Sequence, residues 1–249
     1  MHTTLKIYSL AVLLALWFGL SFVFSEHVLP GPLPVFAAIW DNLQSGDGFF
    51  HLYKTVSRVV FGLVLAMFLG TGFGLVMGLS RKGEKFFESW VMIGLTIPAV
   101  VYAIICLLWF GLNDFAAVIA IGVTAFPAVA INMWQGVKDI DMQLIAMGKA
   151  FQLPKTDLIR KIVLPQTVPY ILAATRYALG ISWKIATTVE LIGMSSGVGY
   201  MLHYWFGLFS MTQVLAWTLS FILVLLFIEY VLINPFEKRA TAWRPAVQV

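Results

Sequence analysis

The sequence predicts an all-α integral membrane protein with about six transmembrane helices, and three observations carry that prediction. Hydrophobic residues make up 60% of the 249-residue chain and charged residues 11%, with a mean hydropathy of +0.89; soluble domains average ~45–50% apolar. Apolar runs near the ~20 residues that cross a ~30 Å hydrocarbon core fall at about 5–25, 57–80, 88–110, 114–137, 167–192 and 211–235. The Lys and Arg residues gather mostly in short segments between those runs. No room remains for a soluble domain, so residues 1–249 are expected to form one transmembrane domain.

The first run has Lys6 ahead of it and Ser25, Glu26 and His27 behind, with no small-residue cleavage pattern. It reads as a retained helix rather than a signal peptide. Pro30-Gly31-Pro32 then makes a turn, and the apolar stretch from Val35 to Trp40 is too short to span. An interfacial helix with Trp40 at headgroup depth is expected there. In the second run Gly62, Ala66, Gly70, Gly74 and Gly78 recur every four residues, a ridge of small residues into which another helix can pack without a hydrophobic driving force.

Pro98 in the third run and Pro127 in the fourth each remove a backbone donor, so both helices should kink or break. Interrupted helices leave carbonyls near the midplane, which suits a solute path. The fifth run carries Arg176, Lys184 and Glu190, and the sixth Glu229; charges at this depth face a bundle interior or water. Arg176 and Glu190 point within about 40° of each other but lie about 21 Å apart along the helix, too far to pair. Arg176 is left to a neighbouring helix or to snorkelling, Glu190 to outer water, solute, or the pinning of the loop Gly193–Gly199, whose glycines end the helix. Lys184 has two readings, structural pairing and contact with an anionic solute. His203, Tyr204 and Trp205 follow at an interface.

With the amino terminus in the cytoplasm, twelve of the sixteen basic residues fall inside: Lys6, Arg81, Lys82, Lys85, Lys138, Lys149, Lys155, Arg160, Lys161, Lys238, Arg239 and Arg244. Lys54 and Arg58 fall outside. The positive-inside rule therefore places both termini in the cytoplasm. The net charge of +4 is spread over short loops without aromatic stacking platforms, so no nucleic acid partner is implied. Cys106 is a lone thiol in an apolar run and reads as a small buried hydrophobe. The four His, at 2, 27, 51 and 203, are scattered, and no metal-ligand spacing, nucleophile elbow or phosphate-binding G-x-x-x-x-G-K-[ST] occurs. ATP bound through such a loop would belong to another polypeptide.

The segment Ala150 to Pro169, AFQLPKTDLIRKIVLPQTVP, concentrates Lys155, Asp157, Arg160 and Lys161 in an otherwise apolar chain. Two helices are expected, Met142 to Leu153 and Lys155 to Val163, bent at Pro154 and stopped before Pro165. The pair is either a hairpin lying on the bilayer or a knob that offers Phe151, Leu153 and Leu158 to a soluble partner.

Residues 139–165 resemble the cytoplasmic signature loop of binding-protein-dependent ABC importer permeases, E-A-A, then G, then I-x-L-P. Ile162-Val163-Leu164-Pro165 matches the ending, while Ala146 stands at the Glu position, Gly148 at the second Ala and Gln152 at the turn Gly. LPGPLPVFAAI, TVSRVVFGLVLAMFLGTGFGLVMGLSRKGEKF, LLWFGLND, TAFPAVAINMWQGV, the Arg176, Trp183, Glu190 series, SSGVGYML and the tail EKRATAWR resemble the sulfonate, taurine and nitrate branch. Ile104 stands where a second Pro is usual.

The resemblance implies a type I ABC importer permease in a bacterial inner membrane, paired as a homodimer or with a related permease. It also implies two ATPase subunits that bind ATP and Mg, and an extracytoplasmic solute-binding protein. Coupling to the ATPase would involve Ala146, Gly148, Phe151, Gln152, Leu153, Pro154, Asp157, Leu158, Lys161 and Pro165. A solute path or gate would involve Pro98, Tyr102, Asn132, Lys184, Thr187, Thr188, Glu190, Ser196, Gly197 and Gly199. No cofactor or metal is expected in this chain. The solute would be a small organic or inorganic anion such as a sulfonate, nitrate or an aromatic acid, with a vitamin precursor or a small neutral solute as alternatives. A membrane-embedded enzyme, for which no convergent acid, His or Ser constellation is found, and a passive channel or scaffold, which leaves the bent loop without a purpose, are the competing classes.

Overall fold

Backbone groups in lipid have no water to bond, and a helix satisfies them within its own segment. The computed structural model describes residues 2–240, and helices dominate them: α1 (His2–Ser21), α2 (Pro32–Gln44), α3 (Asp47–Leu79), α4 (Arg81–Thr96), α5 (Ala99–Phe110), α6 (Asp114–Lys138), α7 (Met142–Ala150), α8 (Lys155–Leu158), a π-helical turn (Ile159–Val163), α9 (Leu164–Gly193), α10 (Val198–Gly207), α11 (Met211–Phe227), a second π turn (Ile228–Ile233) and α12 (Asn234–Ala240). The end of the basic tail, including Arg244, lies outside the described residues. By contacts the chain falls into two units, Met1–Val56 with Glu190–Leu226, and Ser57–Val189 with Phe227–Val249.

Among the described residues, three helices are long and apolar enough to cross alone, Asp47–Leu79, Asp114–Lys138 and Met211–Val231, and each of two bent pairs can form a further span. α1 is 20 residues long, with the apolar stretch Tyr8–Ser21 among its described residues. Its Trp17 Nε1 donates to Pro30 O at 3.1 Å, and Val35, Ala38 and Ile39 of α2 bury with Ala216 of α11. Trp40 stays exposed on the other face of α2. Asn42 of α2 also donates to Gln213 of α11, at 2.9 Å.

In the second unit the small-residue ridge packs on α6. A Cβ added at Gly62 would stand 2.5 Å from Ile121 Cβ, and those at Gly70, Gly74 and Gly78 would press into Val129, Met133 and Val137. Numbers rise together on both helices, so α3 and α6 run parallel. The chain between them must therefore return across the bilayer, which makes α4 with α5 one broken span despite the 97° bend between them. Ala66, Ala125, Val129, Met133, Ala174 and Ala178 form the core where α3, α6 and α9 meet. At the start of this pair the buried Arg58 holds Asp114 in the first turn of α6, Nε and Nη2 to Oδ1 at 2.8 and 2.6 Å. α3 begins at Asp47, ten residues before the apolar run at 57–80, so Arg58 lies within the helix.

Neither Pro127 nor Pro165 ends its helix. α6 runs through Pro127 without interruption. It is the most enclosed helix, with Ala120, Ala125, Ala128, Val129 and Ala130 all buried, and neighbours of this kind support a proline-bearing membrane helix. Nor does the second helix of the polar segment stop before Pro165. The π turn Ile159–Val163 shifts the register so that Leu164 N–H bonds Ile159 O, and Gln166 Nε2 adds a donor to Ile162 O at 3.1 Å. The helix passes straight into α9.

Candidate solute path and coupling segment

At the α4–α5 break Ile97 and Pro98 are extended, with ψ of 126° and 135°. Pro98 has no N–H, so the carbonyl of Gly94, four residues earlier, loses its helical donor. Tyr102, one turn further on, replaces it: its hydroxyl donates to Gly94 O at 3.0 Å. Glycine is required at 94 because a Cβ would stand 2.9 Å from Pro127 Cγ. The unwound residues line a cleft of about 390 Å³ together with Thr124 of α6 and Tyr177, Ile181, Lys184 and Ile185 of α9. Pro98 and Lys184, chosen from the sequence at different places in the chain, thus share one cavity. Lys184 is exposed in it.

Other polar residues expected on a path direct their donors into their own helices. Asn132 Nδ2 bonds Ala128 O at 2.9 Å, Thr187 Oγ1 bonds Trp183 O at 3.1 Å, and Thr188 Oγ1 bonds Lys184 O at 2.8 Å.

Glu190, Ser196, Gly197 and Gly199 lie elsewhere, at the break between α9 and α10. Glu190 is buried, and its Oε2 accepts from Gly199 N and from Thr55 Oγ1, each at 2.9 Å. The Thr55 hydroxyl oxygen accepts from Val198 N at 2.8 Å, and His51 Nδ1 accepts from Gly197 N at 3.0 Å. His51 is therefore unprotonated at Nδ1. Its ring lies between Tyr200 (5.8 Å, stacked) and Trp217 (5.6 Å, edge-on). Gly197 has φ 110°, and a Cβ there would run into the Glu190 carboxylate; no other residue fits. Three successive N–H groups of the loop are thus satisfied by α3 and by Glu190. His51 and Thr55 were not legible as partners of this loop, although their i, i+4 spacing puts both on one face of α3.

Residues 139–165 form a helical hairpin. Asp141 caps α7, accepting from Gln143 N at 2.7 Å. After Ala150 the chain reverses through Gln152, whose φ of 54° is left-handed, and Leu153 N reaches back to Gly148 O at 3.0 Å. A turn that the family builds on glycine is thus made here with glutamine. Gly148 allows the two arms to approach, since a Cβ would stand 2.9 Å from Ile162 Cδ1. Leu158 fills that contact and is buried, which corrects the expectation that it is offered to a partner; Phe151 is 75% exposed. Lys161 pairs with Asp157 at 3.0 Å. The hairpin is fastened to the base of α9, where Gln166 Oε1 accepts from Asp141 N at 2.8 Å and the Tyr170 hydroxyl bonds the Asp139 carboxylate. Arg176, further along α9, pairs with Glu229 at 3.1 Å and with Glu237 at 2.6 Å, and bonds Asn234 at 2.6 Å.

Residues 62–239 match the family model described as binding-protein-dependent transport system inner membrane component. A protein of Bacillus subtilis (strain 168) named as the aliphatic sulfonates transport permease SsuC is 32% identical over 77% of this chain and 70% of its own. The taurine transport system permease protein TauC of Escherichia coli (strain K12) is 26% identical over 99% and 92%. The nitrate import permease protein NrtB of Synechococcus elongatus is 29% identical over 78% and 73%. Among solved structures, an inward-facing MetNI methionine ABC transporter superimposes with a TM-score of 0.65 at 17% identity, over 77% of this chain and 94% of that one, a likeness of fold. With its broken spans, its cleft and its clamped hairpin, the chain belongs to the binding-protein-dependent inner membrane components, and it is an ABC importer permease of the sulfonate, taurine and nitrate type.

Proposed function

We propose that two copies of this permease form the path for a small oxyanion, that Lys184 in the Pro98 cleft contacts it, and that residues 139–165 dock a separate ATPase on the cytoplasmic side. Both termini are then cytoplasmic, ATP and Mg stay with the ATPase, and an extracytoplasmic binding protein delivers the solute. Sulfonates and nitrate, in the names of similar permeases, are oxyanions, and a cation in an otherwise largely apolar cleft suits them. The carrying observation is the unbroken helical run Lys155–Gly193: it starts in the hairpin beside the exposed Phe151 and ends past Lys184, so one continuous helix would join docking site and cleft.

Retention of the ATPase on purified permease tests the coupling. Phe151→Ala removes an exposed aromatic anchor of the kind worth about 1–3 kcal/mol, and ATPase recovery is expected to fall roughly tenfold with the permease still folded. Full retention in Phe151→Asp would return the hairpin to a role on the bilayer surface. Lys184→Met is expected to lower uptake while leaving ATPase retention unchanged.

A further inference from the structure

The cleft at Pro98 has four side chains with polar ends, and two are already engaged. Thr96 Oγ1 donates to Ile93 O at 2.8 Å and Thr124 Oγ1 to Ala120 O at 2.6 Å. Among the described residues, the Tyr177 hydroxyl and the Lys184 ammonium have no hydrogen-bond partner or ion pair in the chain. Tyr177 is 60% exposed. Seven residues separate the two on α9, which brings them back within about 20° on the helix and sets them about 10 Å apart along it. Ile181 lies between them, one turn from each.

From this spacing we propose that Tyr177 is a second station for the transported anion, a neutral donor that takes the oxyanion after Lys184 on its way toward the hairpin end of α9. This rests on the assignment of Lys184 above. Their backbone positions stand about 10 Å apart along α9, so an anion moving along the helix meets the two donors in succession. A charged site alone would hold an anion tightly, and conduction needs a weaker second site to let it leave. The phenol supplies that weaker site, and the apolar stripe of Ile181 and Ile185 accommodates a short alkyl substituent on the anion.

The test places a reporter between the stations. Ile181→Cys in a Cys106→Ala background is treated with 2-sulfonatoethyl methanethiosulfonate and with its trimethylammonium counterpart, in the purified transporter complex and with ethanesulfonate as protecting anion. The anionic reagent is expected to react faster than the cationic one, and Lys184→Met to reduce that ratio about tenfold, as a unit charge does at this range in a partly screened site. Tyr177→Phe, which keeps the ring and removes only the hydroxyl, is expected to leave the ratio within about twofold and to raise the protecting concentration of ethanesulfonate several-fold. If Lys184→Met leaves both readouts unchanged, the anion cleft itself is refuted. If Lys184→Met acts and Tyr177→Phe does not shift protection, the cleft stands and Tyr177 has no part in it.

Discussion

The breaks at Ile97-Pro98 and at Met194–Gly197 both interrupt helices of a membrane protein, and the backbone they expose is treated in opposite ways. At Pro98 one hydrogen bond, from Tyr102 to Gly94 O, repairs the carbonyl that proline orphans, and the unwound residues open onto a cleft holding an exposed lysine. At the glycine loop, three consecutive N–H groups, those of Gly197, Val198 and Gly199, are each taken by a buried side chain. Irregular backbone persists at membrane depth where it lines a cavity or is buried in protein, and the two breaks use one solution each. The open break leaves its backbone beside an accessible cleft; the closed one is held by buried side chains. Glu190, Gly197 and Gly199, grouped with Lys184 by sequence as path or gate residues, sit in the closed break.

The largest effect expected from this contrast is that of Glu190→Ala. Removing the carboxylate leaves Gly199 N–H without its acceptor in a buried site and leaves the Thr55 hydroxyl only the longer bond to His51 O, at 3.2 Å. Unmet buried donors cost about 1–3 kcal/mol each, and bonds to a charged group are the stronger kind, so a loss of about 3 kcal/mol is expected. Thermal denaturation of the purified permease in detergent reads it. Stability equal to that of the parent would mean that the helix ends alone hold the loop, and the contrast between the two breaks would disappear.

Tyr102→Phe makes the matching change at the open break, and its cost should be smaller, about 1 kcal/mol, because water in the cleft can reach the Gly94 carbonyl that the phenol abandons. Amide hydrogen exchange distinguishes the sites: faster exchange at residues 97–101 with no change at 197–199 is the expected pattern. Equal acceleration at both would show that the breaks are not independent.

Much of this was legible in the sequence because the signals are local. The i, i+4 ridge from Gly62 to Gly78 announced a helix contact, and Pro98 announced a break, since both act through the residue's own backbone. Pro127 carries the same local signal and leaves α6 unbroken, because the enclosure of that helix by its neighbours cannot be read from its own residues. Pro165 likewise carries the local signal of a stop, and the π turn at Ile159–Val163 that takes the helix past it is a change of register that no residue type announces. His51 and Thr55 stand more than 130 positions from the groups they bond, and Tyr177 is one of eight tyrosines, distinguished only by the cleft into which α9 turns it.

A third reversal, between α7 and α8, sharpens the comparison because it has neither a buried network nor a cleft to account for its geometry. Gln152 occupies the left-handed region, φ 54°, where a side chain costs about 1–2 kcal/mol relative to glycine. Glycine also loses more chain entropy on folding, about 0.5–1 kcal/mol, so Gln152→Gly is expected to stabilise the hairpin by only about 0.5 kcal/mol. Asp157, Lys161 and the clamp of Gln166 on Asp141 N are untouched by the change, so any gain comes from the turn alone. Protease resistance of residues 142–163 in the purified permease measures it, with slower cleavage expected in the variant. Faster cleavage would mean that the glutamine side chain itself braces the turn, and the strain would then be offset within the hairpin rather than carried by its fastening to α9.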